Sequence, residues 1–361
     1  MNSLQYEAKN KKIFFNTDLF KFTKKYALCI LLSVGKKNCA AMSSNLGIPY
    51  NEVRRYFHNF EYEQEELKKF FIAMVNLHST KEKPGTLIAD GTNIAKIYGK
   101  KFEQSGYDYN NAIKSVTKGI TVITLVWTNG DIVIPLNFEC WVREKDLKNE
   151  YLYKKKTTIA KELILEYKHK VPFYCIALDG EYGSEDFLSF LDINDIKYIM
   201  RMPKNRMVCI NGRFESLKNQ PIFQLKRNTK YVKGKGSYKG INMNFISHKR
   251  KGKNNTKEVV FIASNIEGLL PKEYVDLYDG RWPIEMMFRT LKQYLGLQQC
   301  QSVSIKNQRA HIFGTFLACT ELDLQKINKK KTSREQVLKN LRLQNIAKLN
   351  PKFTLGDGII M

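Results

Sequence analysis

The spacing of apolar residues changes character along the chain, and each change predicts a different kind of element. Before about residue 80 the period is helical. "KKYALCILLSVGKK" reads as one helix, and "CAAMSSNLGIPYNEVRRYFHNF" as a helix, a turn at Gly47 and Pro49, and a second helix. From residue 84 short continuous apolar runs take over. "TLIADGT", "KGITVITLVW" and "DIVIPLNFECW" read as buried strands, the last two joined at Asn129-Gly130, a pair that favours a tight type I′ hairpin. "KKTTIAKELILEYKHK" is an amphipathic helix with apolar positions 159, 163, 164 and 167. "PFYCIALDG" and "KYIMRM" are strands on either side of a short helix, "SEDFLSFLDIN", capped by Ser184. The predicted order is three strands, helix, strand, helix, strand.

Beyond residue 200 the runs shorten to "MVCI", "NTKYV" and "GINMNFIS", split by Gly and Asn turns, which predicts a β-rich insertion. After "VVFIAS" come the helices of "PKEYVDLYDG" and "YDGRWPIEMMFRTLKQYLGL". A mostly apolar helix over 303–325 is placed under a sheet, and a basic helical tail reads as a solvated face or a nonspecific contact surface. The expected divisions are a helical region 1–80, an α/β core in two parts, 84–200 and 266–326, an insertion 201–265 between them, and a tail 327–361.

Composition narrows the class. Apolar residues make up 43% and aromatic residues 12% of the 361, which excludes a disordered chain. The charge balance, 60 − 35 = +25, points to a polyanion as partner, most simply nucleic acid. Residues 201–257 hold 16 Lys or Arg against one acidic residue, Glu215, so +15 of the net charge falls on these 57 residues. At that density self-repulsion costs stability unless an anion offsets it, so a phosphate-backbone surface is expected there. Its aromatics, Phe214, Phe223, Tyr231, Tyr238 and Phe245, either stack on bases or fill a small core, and the core is the simpler use. The seven cysteines are scattered without a CxxC pair, which predicts reduced thiols and neither a disulfide frame nor a zinc knuckle. No stretch reads as a signal peptide or a bilayer span, so a cytoplasmic protein with no membrane partner is expected.

Candidate chemistry lies on three carboxylates. Asp90 and Asp179 each close a strand, where a side chain meets the rim of a sheet, and each precedes a glycine that permits close approach to the backbone. Asp-Gly is also a common way to end a strand in a turn, so neither stands alone. Glu285 carries more weight. At 3.6 residues per turn Lys292 lies about 20° from Glu285 around its helix, and Arg289 about 40° away. Pro283 suits the first turn, and Trp282 before it predicts a break near 280–282 that brings Tyr278 and Arg281 in from the preceding helix. One acid among four such groups exceeds what an i,i+4 ion pair needs. A carboxylate that holds a divalent ion, ringed by groups that grip phosphate, accounts for all of them. Three carboxylates meeting in space would suit Mg²⁺, and metal-assisted phosphodiester chemistry follows.

Tyr278, Arg281, Glu285 and Lys292 fit Tyr-x2-Arg-x3-Glu-x6-Lys, and in this the chain resembles the DDE transposases of the insertion-sequence-four family. The resemblance covers about residues 84–325. It implies a ribonuclease-H-like mixed sheet with flanking helices, with Asp90 in "IADGT", Asp179 in "IALDGEYG" and Glu285 as catalytic residues and metal ligands. Two Mg²⁺ ions are implied, with Mn²⁺ as a substitute. Tyr278, Arg281 and Lys292 would grip phosphates near the cleaved end, and Lys204 and Arg206 are further backbone contacts on position alone. Apart from the resemblance, helix geometry adds Arg289 as a DNA contact, and the helix-turn-helix pattern of 39–60 offers Arg54 and Arg55 on a helix that could lie in a major groove. The implied partners are double-stranded DNA, as terminal inverted repeats and target, and a second copy of the chain on paired ends, near the bacterial nucleoid. The implied reaction is cut-and-paste transposition: hydrolysis at the element's ends and joining of the freed 3′-hydroxyl. One departure stands out. No Trp falls within 201–265, so a base-stacking Trp in the insertion is missing, with Phe261 and Tyr274 as weak substitutes. Two rival readings are a DNA-binding descendant of such an enzyme that does not cut, and a nuclease that hydrolyses but never joins. A two-carboxylate glycosidase would need neither Arg281 and Lys292 nor the +15 segment.

Overall fold

The computed structural model describes residues 6–8, 11–13, 21–96, 102–110, 114–147, 153–224, 229–251, 257–327 and 332–349. A short antiparallel ribbon, β1 (Tyr6–Ala8) and β2 (Lys11–Ile13), precedes three helices, α1 (Lys21–Leu32), α2 (Cys39–Leu46) and α3 (Tyr50–His78). The α2–α3 turn follows from its residues. Asn38 Oδ1 accepts from Ala41 N–H at 2.8 Å to start α2, and Gly47, at φ 63°, ends it in the left-handed conformation that an L side chain resists. The 29 residues of α3 bury a stripe through Val53, Tyr56, Phe60, Leu67, Phe71 and Met74. Tyr56 stacks on Tyr26 of α1 with ring centroids 4.3 Å apart. Both helices pack on α8 (Ile305–Ile327), which is buried through most of its middle, as its apolar sequence predicts.

Among the described residues one eleven-stranded sheet runs through the molecule. β3 (Thr86–Ala95), β5 (Ser115–Thr128) and β6 (Val133–Trp141) are antiparallel neighbours. On the other side of β3, β7 (Cys175–Leu178) and β8 (Tyr198–Met202) run parallel to it. The order β6-β5-β3-β7-β8, with helices α4 (Lys156–Tyr167) and α5 (Glu185–Ile193) in the crossovers, gives the mixed α/β, ribonuclease-H-like architecture. Ser184 caps α5 as read, its hydroxyl accepting from Phe187 N–H at 3.3 Å. The basic segment extends this same sheet. β13 (Lys257–Ser264) pairs with β8, and β12 (Ile241–Lys251), β11 (Tyr231–Tyr238), β9 (Met207–Ile210) and β10 (Arg213–Ser216) follow outward.

Three local expectations change. The β5–β6 connection is a four-residue turn, not a type I′ pair: Asn129 keeps negative φ, and its Oδ1 accepts from Asp131 and Ile132 N–H at 3.0 and 3.1 Å. A sixth strand in the first part of the core, β4 (Gly106–Asn110), shares the edge of β5 with β6. The tail helix α9 (Arg334–Leu349) is docked: Val337 and Leu338 are buried, and Arg334 grips Asp323 of α8 through two bonds of 2.6 Å. All seven cysteines are free thiols, and no helix among the described residues is long and apolar enough to cross a membrane.

Candidate active site

The register of two parallel strands sets the first pair of carboxylates. Ala89 of β3 pairs with Leu178, the last residue of β7, so Asp90 and Asp179 stand side by side where β7 ends; against expectation Asp90 does not close its own strand, because β3 runs on along β5 to Ala95. Neighbouring strands are about 4.8 Å apart, which puts the two backbones at that separation. Each Asp accepts from the N–H of its own following glycine, Gly91 at 2.8 Å and Gly180 at 2.7 Å. Close approach to the glycines comes from the protein's own β8 and β5. A Cβ at Gly180 would meet the Arg201 carbonyl oxygen at 3.0 Å, and one at Gly91 would meet Ile123 Cδ1 at 3.2 Å. Burial pushes the Asp90 carboxyl up to about 6, against the pull of Arg281 and the Gly91 bond, with Glu181 and Asp179 adding to the rise.

The third carboxylate arrives through an interrupted helix. α6 (Pro271–Asp279) ends at Gly280, Arg281 N–H bonds back to Tyr278 O at 2.9 Å, and α7 (Trp282–Gln293) restarts with Pro283 in its first turn, so the predicted break is where the sequence put it. Arg281 sits at this corner, 12% exposed, and spans two acids. Nη1 donates to Asp90 Oδ2 at 3.0 Å, and Nη2 donates to Glu285 Oε1. Burial acts to lower the Arg281 guanidinium, but Tyr278, Asp90 and Glu285 outweigh it and hold the cation above its ordinary range. Its plane lies over the Tyr278 ring, 6.0 Å from the centroid. Burial raises the Tyr278 hydroxyl against the neighbouring Arg281 charge. Lys292 faces the same cluster: burial lowers its ammonium, and Asp90 opposes that. Asp90, Asp179, Tyr278, Arg281, Glu285 and Lys292 therefore form one site.

The other candidates lie around it or away from it. Arg289 is exposed and turns towards Glu335 of α9 at 3.9 Å. Lys204 and Arg206 are exposed in the β8–β9 turn, next to Pro203, which packs against Gly180. Arg54 and Arg55 lie on the exposed side of α3, over the rings of Tyr50 and Phe22. Phe261 and Tyr274 are core residues at 4% and 0% exposure, which removes both as stacking substitutes. Phe223, Tyr238 and Phe245 are likewise core, while Phe214 is exposed. Sequence reasoning missed Glu181, two residues after Asp179. Burial raises its carboxyl, Lys156 opposes, and Asp179 and Asp108 add. Lys156 pairs with Asp108 at 3.0 Å and lies over Trp141, 4.4 Å from the ring centroid. The only sequence signal was a second acid in "LDGEYG".

The donor set is oxygen-only, which suits a hard divalent cation. Yet among the described residues no three acidic, His or Cys side chains are gathered closely enough to share one ion. Asp90 and Asp179 are adjacent, and Glu285 is held to Asp90 through the guanidinium between them. The residues fit a divalent ion by the chemistry of their oxygens, and in this structure Arg281 is the charge that keeps Asp90 and Glu285 together.

Comparison with known proteins bears on the same residues. Residues 153–320 match the family described as transposase DDE domain, a range that includes Asp179 and Glu285 and begins after Asp90. The transposase for insertion sequence element IS231B of Bacillus thuringiensis subsp. berliner is 27% identical over 96 residues, 25% of this chain and 20% of that protein. The transposase for IS231D of Bacillus thuringiensis subsp. finitimus is 28% identical over 74 residues, 20% of this chain and 16% of that protein. The matched stretches thus span a fifth or less of those relatives. The NurA nuclease from Sulfolobus solfataricus aligns with 78% of this chain and 94% of its own at 12% identity, with a TM-score of 0.27, too low to bear on the fold. The strand order, the paired aspartates and the family match point the same way: residues 153–320 are similar to the transposase DDE domain family.

Proposed function

We propose that the protein is a DNA transposase that cuts at the ends of an insertion sequence and joins the freed ends to target DNA. The observation that supports this reading is the site itself: Asp90 and Asp179 side by side where the β3–β7 pairing ends, with Glu285 and Lys292 brought towards them on α7 and Arg281 at its start. Asp90, Asp179 and Glu285 are the proposed ligands of two Mg²⁺ ions, with Mn²⁺ as a substitute. Bound there, the metal would lower the charge on the phosphodiester and activate the attacking hydroxyl. The chain's own cations do the rest. Arg281 and Lys292 hold the phosphate beside the cut, with Tyr278 at their side, and Arg281 leaves the carboxylates for it. Lys204 and Arg206 hold the backbone as it leaves past Pro203. The basic sheet of 201–265 carries the flanking duplex, and the helices of 1–80 add contacts through Arg54 and Arg55. Inverted repeats and target DNA are the proposed partners, with two copies of the chain on paired ends in the bacterial nucleoid.

A second reading, a DNA-binding descendant that no longer cuts, is favoured by one observation: Arg281 holds Asp90 and Glu285 where a metal would lie. A plasmid carrying the gene's own two flanks separates the readings. Wild type is expected to break it at the flank boundaries with Mg²⁺ and not with chelator, and Glu285→Ala to bind the flanks without cutting. Binding by both proteins with no cutting by either would favour the second reading.

A further inference from the structure

Well away from the carboxylates lies a cavity of about 570 Å³, where the starts of α2 and α3 meet the segment 300–307 that leads into α8. Lys96, six residues beyond Asp90 on the β3 side, donates to the carbonyls of Gln298 and Cys300 at 3.2 and 2.7 Å and fixes that segment. This places the cavity about 20 Å along the strand from the candidate active site. Its charged lining is cationic: Lys37, Arg54 and Lys306, with His58 beside them, and among the described residues no Asp or Glu lines it.

Lys37 is the unusual member. It is 3% exposed, its ammonium donates to the Ser33 carbonyl, and among the described residues no carboxylate pairs with it. Burial, with the nearby Arg342 adding to it, lowers its pKa to about 8. A buried ammonium without an anion costs stability. The fold nevertheless makes room for it: Gly296, at φ +71°, leaves the space of its missing Cβ to the Lys37 stem, which would otherwise meet that atom at 2.4 Å. At the mouth, the Tyr50 ring is 48% exposed with Arg54 beside it, 5.9 Å from the centroid. Lys306 is at the rim and pairs outward with Glu61 at 3.1 Å. A stiff duplex cannot lower a phosphate onto a buried ammonium, but a nucleotide out of its stack can.

We propose that this cavity receives one unpaired nucleotide of a DNA strand, its phosphate directed to Lys37, Arg54 and Lys306 and its base to Tyr50. The proposal rests on the DNA reading above but concerns a different site. The test uses the full-length chain and a fluorescent, 5′-phosphorylated single-stranded decanucleotide, against a duplex of the same sequence, read by anisotropy. Lys306→Gln is expected to weaken single-strand binding about five- to tenfold and duplex binding less than twofold, and Arg54→Gln, whose residue also serves the duplex, to weaken single-strand binding more than duplex binding. Lys235→Gln, the same charge loss on β11, should weaken the two DNAs equally. Lys37→Gln should give the largest selective loss; if its melting curve shows that it does not fold, the two surface variants decide. Thymidine 5′-monophosphate should displace the single strand from wild type, whereas inorganic phosphate alone should require far higher concentration. Equal losses on both DNAs, or a folded Lys37→Gln with unchanged binding, would overturn the proposal. A wild type that binds no DNA would instead overturn the transposase reading.

Discussion

Two buried residues outside the site, Glu63 and His311, titrate against the fold in opposite senses. Glu63 is 2% exposed and accepts from the Thr23 hydroxyl at 2.9 Å; burial pushes its carboxyl up to about 7, against that bond. The unfolded value is about 4.3, so its contribution is full below that pH and is lost as pH rises through 7. His311 is fully buried, with Nδ1 2.7 Å from the Tyr26 hydroxyl and Nε2 2.9 Å from Gly296 O, which accepts from Nε2–H; burial keeps the ring neutral, so Nδ1 accepts from Tyr26. Burial lowers its pKa to about 4, so its contribution is full above about 6.5 and is lost as pH falls towards 4. Glu63→Gln is therefore expected to melt higher than wild type at pH 8, by about 1–3 kcal/mol, with the advantage gone near pH 4.5. Calorimetry across that range checks it, and an advantage independent of pH would contradict it. Arg281 makes a second claim at this scale. If it stands where a metal would, Arg281→Gln should bind Mn²⁺ about fivefold more tightly without DNA, as read by electron paramagnetic resonance. Weaker or unchanged binding would mean that the guanidinium organises the carboxylates instead of competing for them.

Elements show which features local spacing can announce. The α6–α7 break, Pro283 and the grouping of Tyr278, Arg281, Glu285 and Lys292 were legible because helix geometry maps sequence offsets directly onto a face. The strands bearing Asp90 and Asp179 were legible as apolar runs, but their adjacency was not, since parallel register is set across 88 intervening positions. β4 was hidden because Tyr107 and Tyr109 point outward from an edge, inverting the usual pattern. The β5–β6 turn misled because the Asn129 side chain bonds two later N–H groups and takes over the turn. Lys37 was invisible for another reason: a lysine in sequence reads as surface, and only tertiary packing buries it. The docking of α9 likewise depends on a distant partner. Asp323, fully buried, accepts both Arg334 bonds and a third from Val133 N–H at 2.9 Å, which ties α9, α8 and β6 together. Arg334→Met should cost about 3–5 kcal/mol, because it strands a buried carboxylate. The double variant with Asp323→Leu should recover part of that loss in denaturant melts. A single variant within 1 kcal/mol of wild type would show that the pair is not what docks the helix.

Across the whole molecule, one sheet carries both charge and chemistry. The basic strands β9 to β13 continue from β8, so the +15 segment opens directly from the rim where Asp179 lies. Binding through such a surface releases counterions, and affinity for duplex should fall linearly in log salt. Replacing Lys204 and Arg206 by Gln should reduce that slope by about two, one for each phosphate contact. An unchanged slope would place the DNA elsewhere. The central claim, that Asp90, Asp179 and Glu285 serve joining as well as cutting, is tested most directly by strand transfer. A pre-cut flank ending in a 3′-hydroxyl is incubated with supercoiled plasmid, Mg²⁺ and the protein, beside the same flank ending in 3′-hydrogen. Wild type should join only the hydroxyl-ended flank, and Asp179→Asn should join neither. Joining by Asp179→Asn, or wild-type cutting with no joined product, would contradict the account.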